Sequence, residues 1–202
     1  MKPEERAKLL ASIASRISPR RMEHTLRVDA LAARLARSWG ESEDKADIAA
    51  LLHDVAREES PLHLAALASA SDDPVVLDLA STPAPLVLHA PAGAVIAAKD
   101  YGISDPEILH AIAFHTTGAP GMDRLAMIIF LADYCEPNRN FAGVGNVRAL
   151  LYQSLEASML LALNQTVAYL EHKGMPVDKH TAAAAAYFSR LVPAGTVHAV
   201  QP

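Results

Sequence analysis

Helical punctuation constrains this chain more than any other feature: apolar residues recur at three- and four-residue spacing along nearly its whole length, and the breaks carry helix caps. In "SPRRMEHTLRVDALAARLARSWG", Ser18 serves as N-cap, Pro19 opens the first turn and Gly40 stops the helix. Met22, Leu26, Leu31 and Leu35 form an apolar stripe there, beside His24. "SEDKADIAALLHDVAREE" starts on Ser42 with two acids at the helix's positive end and stays apolar to Val55. Ser60 and Pro61 open another helix; Ser104 and Glu107 read as a capping box, with Pro106 just inside and Gly118 after the end. "LAMIIFLA", from Leu125 to Ala132, is apolar all round and predicts a buried central helix broken at Pro137. One pattern runs from Val147 to Lys173 and stops at Gly174, and Asp178 caps a last alanine-rich helix. Between 72 and 92 prolines interrupt the pattern, so loops with short helical turns are expected. No alternation is long enough for a sheet, and the fold class is all-α.

At 202 residues one core is expected. The organisation is an N-terminal helix, 1–17, packed on a single domain, 18–192, with a flexible tail, 193–202. Hydrophobic residues make up 51%, yet the apolar runs stop far short of the roughly 18 to 20 residues that span a bilayer. No membrane association is expected. The N-terminus alternates charges with apolar residues and lacks an apolar leader, which points to a cytoplasmic protein. The lone Cys135 forms no internal disulfide. A net charge of -5 argues against general nucleic-acid binding, so any anionic ligand must be captured locally.

His53 and Asp54, adjacent in the apolar stretch "LLHDVARE", raise the chemical question. A buried carboxylate is costly unless it is paired or bound to metal. On a helix, neighbours differ by about 100° in direction, so both side chains flank one point. Two readings stand on this stretch alone: an Asp54–Arg57 ion pair beside a core histidine, or a shared metal site. The same anomaly then recurs. His24 lies in an apolar-periodic helix, His89 follows "LVL", His115 follows "AIAF" and Asp133 follows "MIIFLA". Four imidazoles and two carboxylates on five elements suit the core of a helical bundle and suffice for two metal ions, particularly with one Asp as bridge.

Their order, His24, His53-Asp54 and Asp133, resembles the HD-domain metal-dependent phosphohydrolases, with His89 and His115 matching the dinuclear subgroup. Longer stretches narrow the resemblance: "HTLRV", "AALLHDVARE", "HAPAGA", "FHTTGAPGM" and "LADYCEPNRNFAGV" look like the symmetrical bis(5'-nucleosyl)-tetraphosphatases of the YqeK family. The resemblance covers roughly 18–192. It implies an HD-domain helical bundle with a central dinuclear site. One metal would be held by His24, His53, Asp54 and Asp133, and Asp54 would bridge to a second on His89 and His115. Iron is the metal the family implies; manganese, cobalt, nickel and zinc are alternatives, because ligand type does not separate them. The implied reaction is symmetrical hydrolysis of diadenosine tetraphosphate to two ADP, with Asp54 and Arg57 at the catalytic centre and a metal-activated hydroxide as attacking group.

Around that centre, Arg57 and Arg139 read as phosphate clamps, because a guanidinium donates two hydrogen bonds at once. Thr116, Thr117 and Asn138 add polar contacts, Arg27 supports His24 or the substrate, and Phe141 is the candidate base-stacking residue. Each has an ordinary alternative: Arg57 paired with Glu58 or Glu59, the threonines as a helix-end pair, Arg139 as a solvated charge. His63, His110, His172, His180 and His198 are assigned no metal. The alternative functions are an HD phosphohydrolase acting on another nucleotide or phosphomonoester, oxygen-dependent oxidation on the same metals, and a nucleotide-sensing module without turnover. The long helix after Val147 offers a face for a homodimer or for its own core.

Overall fold

A computed structural model describes residues 1–82 and 85–196. The tail expected from 193 falls outside the described residues from 197 onward, as does His198. Eleven α-helices and one 3-10 turn make up the regular structure among the described residues. Most begin where a short polar side chain accepts the first free N–H groups. Ser18 accepts from Arg21 N–H, Ser42 from Lys45, Ser60 from His63 and Asp178 from His180. The first helix, α1 (Pro3–Ala14), packs on α2 (Pro19–Trp39) and α3 (Glu43–Leu52). Arg6 of α1 pairs with Asp29 of α2 and Asp47 of α3. Ile13 of the same helix is fully buried.

At the centre lies α8 (Arg124–Cys135), whose residues from Leu125 to Ala132 are all buried. Around it pack α2, α3, α7 (Pro106–Phe114) and α10 (Leu155–His172). The short α4 (Pro61–Ala68) and α5 (Pro74–Ala80) lean on α6 (His89–Tyr101), which also packs against α7. The chain closes with α9 (Val144–Leu150) and α11 (Lys179–Leu191), both packed on α10. Among the described residues no helix is long and apolar enough to cross a membrane.

Several expectations need correction. Leu26 is 40% exposed; the buried face of α2 carries Val28, Leu31, Ala32 and Leu35. The α7 cap is Asp105, which accepts from Glu107 N–H, and not Ser104. The single helix expected from Val147 to Lys173 is two, because Ser154 adopts an extended backbone and caps α10 through Ala157 N–H. In the proline-rich stretch, α5 and the 3-10 turn Pro85–Val87 are the short elements, while His89 opens a 13-residue helix. His53 and Asp54 lie beyond α3, which ends at Leu52, so consecutive turns and not helical spacing set their directions.

Candidate metal centre

Four histidines and two aspartates from five helices and their ends face one another. His24 comes from the second turn of α2, His53 and Asp54 from just past the end of α3, His89 from the start of α6, His115 from the end of α7 and Asp133 from the last turn of α8. Asp54 is central. Its Oδ2 lies 3.4 Å from His53 Nε2 and 3.7 Å from His24 Nε2, while its Oδ1 lies 3.3 Å from His89 Nε2 and 3.7 Å from His115 Nε2. His24 Nε2 is also 3.0 Å from Asp133 Oδ1, and His89 Nε2 is 3.1 Å from His115 Nε2. The ligand atoms of His24, His53 and Asp133 lie within 4.8 Å of one another, as do those of His53, Asp54 and His115. One buried carboxylate is thus approached by two imidazoles at each of its oxygens.

The rings are oriented from behind. His53 Nδ1 donates to the Ala50 carbonyl at 2.6 Å and His115 Nδ1 to that of Ile112 at 2.7 Å. In both, Nε2 is the inward atom and carries the lone pair a metal needs. His24 Nε2 and His53 Nε2 are buried without a hydrogen bond of good geometry. Unpartnered buried nitrogens beside two carboxylates fit a divalent cation, and the N/O donor set fits iron, manganese, cobalt, nickel or zinc.

Charge in the cluster follows from burial and proximity. Burial opposes ionisation of Asp54, but His53, His115 and His89 outweigh it and hold the carboxyl well below the usual range. Asp133 behaves alike: burial raises it, and His24, His53 and Arg139 bring it below the ordinary value. His53 is raised, Asp54 overcoming the burial that lowers it. His89 is pushed down to about 3 by burial and by His115, with Arg57 adding to the effect against Asp54.

The ordinary partner foreseen for Asp54 is replaced. Arg21, not Arg57, meets it, with Nη1 2.8 Å from Oδ2. Arg57 instead donates to the Leu86 carbonyl at 3.1 Å and has Nη1 2.7 Å from His89 Nδ1, while Glu58 binds Ser18 and Glu59 binds His63. Thr116 Oγ1 lies 3.2 Å from both His89 Nε2 and His115 Nε2. Thr117 turns away, its hydroxyl buried and donating to the Gly118 carbonyl. Arg139 donates to Asp133 Oδ1 at 2.6 Å. Arg27 reaches His24 through Glu136, which sequence reasoning missed. Its Oε2 accepts from Arg27 Nε at 2.8 Å and its Oε1 lies 3.3 Å from His24 Nδ1. The missed signal is the acid three residues beyond a proposed ligand in "DYCEPN".

A cavity of about 630 Å³ opens on the His24 side, where Arg20, Arg21, Arg27 and Arg139 line it together with Glu23, Glu58 and Glu136. Phe141 is not part of that lining; it is 41% exposed and meets Tyr134 edge to face at 5.0 Å. The other described histidines form no such cluster. His63 pairs with Glu59 and His110 with Asp73, and His180, in the first turn of α11, is buried between Asp178 and Asp78.

A profile of the HD domain matches residues 21–138. The chain is 36% identical over 180 residues to a protein of Halalkalibacterium halodurans named symmetrical bis(5'-nucleosyl)-tetraphosphatase, covering 88% of this chain and 94% of that protein. It is 35% identical to the Bacillus subtilis protein of the same name, covering 87% and 93%. A crystal structure from Clostridium acetobutylicum, described as a predicted HD superfamily hydrolase involved in NAD metabolism, superposes with a TM-score of 0.83 at 31% identity, covering 92% of this chain and 97% of that one.

Proposed function

The chain belongs to the HD-domain family, and from that premise we propose that it is a metal-dependent hydrolase that cleaves diadenosine tetraphosphate symmetrically to two ADP. The observation that carries the metal reading is Asp54, whose two oxygens face two different pairs of imidazoles at 3.3–3.7 Å. His24, His53, Asp54 and Asp133 would hold one ion; Asp54, His89 and His115 would hold the second. Iron is the proposed metal, with manganese, cobalt, nickel and zinc as alternatives. When bound there, two divalent ions would supply Lewis-acid charge at phosphate oxygens and lower the pKa of a water.

The chain's own groups bind and orient the polyphosphate. A neutral His89 cannot donate from Nδ1 to Leu86 and accept there from Arg57 at once. The tautomer with Nε2 free for a metal keeps Nδ1–H on the Leu86 carbonyl and releases Arg57 toward a phosphate. Thr116 is proposed as a further contact on the His89 and His115 side, Arg27, Arg139 and Asn138 as contacts from the cavity on the His24 side, and Phe141 for a base. The cavity's four arginines outnumber its three glutamates by one, a local positive excess in an otherwise acidic protein. A single buried thiol fits work in the cytoplasm.

Chromatography of products after metal-loaded protein meets diadenosine tetraphosphate tests this reading, with Asp54→Ala run beside it. ADP as sole product, lost in the variant together with bound metal, is expected. ATP plus AMP would refute symmetrical cleavage, and full activity of Asp54→Ala would refute the metal role. Binding without turnover would move the assignment to a sensing module. The Clostridium acetobutylicum hydrolase is described as involved in NAD metabolism, and dinucleotides of that kind are the competing substrates for the same assay.

A further inference from the structure

The four central rings do not share one kind of partner on Nδ1. Three sit at helix ends or beside a 3-10 turn, where carbonyls lack intrahelical donors. Each lies on the carbonyl three residues earlier: His53 on Ala50 at 2.6 Å, His115 on Ile112 at 2.7 Å and His89 on Leu86 at 2.9 Å. His24 lies inside α2, where the carbonyls of the preceding turn belong to the helix ladder. Its Nδ1 faces a carboxylate instead, Glu136 Oε1 at 3.3 Å. Glu136 is 3% exposed and firmly held. Oε2 accepts from Arg27 Nε and from Asn138 N–H, both at 2.8 Å, and its backbone carbonyl accepts from Arg148 at 2.7 Å.

We propose that Glu136 is a positioning residue that tightens one of the two metal positions, widening a difference that the extra carboxylate of Asp133 already sets. Its carboxylate fixes His24 with Nε2 inward and makes that nitrogen a stronger donor than rings leaning on neutral carbonyls. The position at His24, His53 and Asp133 therefore takes up a divalent cation before the position at His89 and His115. This rests on the two-metal reading above.

The test is titration of chelator-stripped protein with Co2+, followed by calorimetry and by the visible absorption of the ion. Wild type should bind two equivalents in separable steps. Glu136→Gln keeps the shape and an acceptor but removes the charge. It should weaken the tighter step by about 10–100-fold, the range for loss of an outer-sphere partner, and leave the weaker step in place. Equal weakening of both steps, or of neither, overturns the inference while two-metal binding stands. Wild-type protein that takes up fewer than two equivalents overturns the underlying reading instead. A second measurement needs no variant: in wild type given one equivalent of Co2+, paramagnetic shifts should fall on the His24 ring protons. A first ion seated at His89 and His115 also overturns the proposal.

Discussion

Arg57 was legible as a phosphate-binding candidate, but its resting contacts were not, because they depend on a carbonyl 29 residues away. Its guanidinium is anchored by Leu86 and lies against His89, within reach of the centre. Arg57→Ala should lower kcat/KM by about 10- to 100-fold, as loss of one charge-assisted hydrogen bond to phosphate predicts. Steady-state kinetics checks this, and metal content should stay at the wild-type level. The Cys135 thiol gives a contrasting case. Burial pushes it up to about 12, Asp133 adding and Arg148 opposing. Folded protein should therefore resist iodoacetamide at pH 8 and label fully once unfolded, as mass spectrometry would show. Glu136 and Arg21 were not readable from the sequence, since their partners lie 112 and 33 residues away.

At the scale of elements, capping chemistry made the starts of α2, α3, α4 and α11 legible. It failed where two residues compete: Ser104 and Asp105 both precede Pro106, and only the backbone decides which accepts. The split between α9 and α10 was hidden because "LLYQSLEAS" keeps an apolar rhythm across Ser154. Gly143, which opens α9, has φ of 86°, and a Cβ there would stand 2.7 Å from Gln165 Nε2. Gly143→Ala should destabilise the protein by about 1–3 kcal/mol, read from denaturant unfolding, through backbone strain and displacement of Gln165. The α1–α2–α3 clamp gives a pH effect. Asp29 is pushed up to about 7 by burial and by Asp47, with Arg6 opposing. Its folded pKa exceeds the unfolded value, so its stabilising contribution is complete below about pH 4 and lost as pH rises through about 7. Asp29→Asn should consequently gain on wild type by a few degrees of Tm between pH 5 and pH 8, measured by thermal unfolding.

For the whole molecule, the anomaly of polar residues delivered by apolar elements was enough to select the six candidate ligands. Their meeting was not derivable from spacing, because it depends on how α2, α3, α6, α7 and α8 pack. A cation that binds only the assembled centre stabilises the folded state. At 100 to 1,000 times its Kd the gain is about 3–4 kcal/mol, so chelation should lower Tm measurably and Co2+ should restore it. Asp54→Ala should abolish most of that response.

The order of the ligands along the chain also bears on how such a protein is made. From His24 to Asp133 the set is complete only when α8 has been synthesised, yet α8 packs against α10, which comes later. A ribosome that stops in the loop after α8 releases all six proposed ligands with the central helix covered by α2, α3 and α7 but not by α10. Such a fragment has the donors of the finished chain on a core with one side open to water.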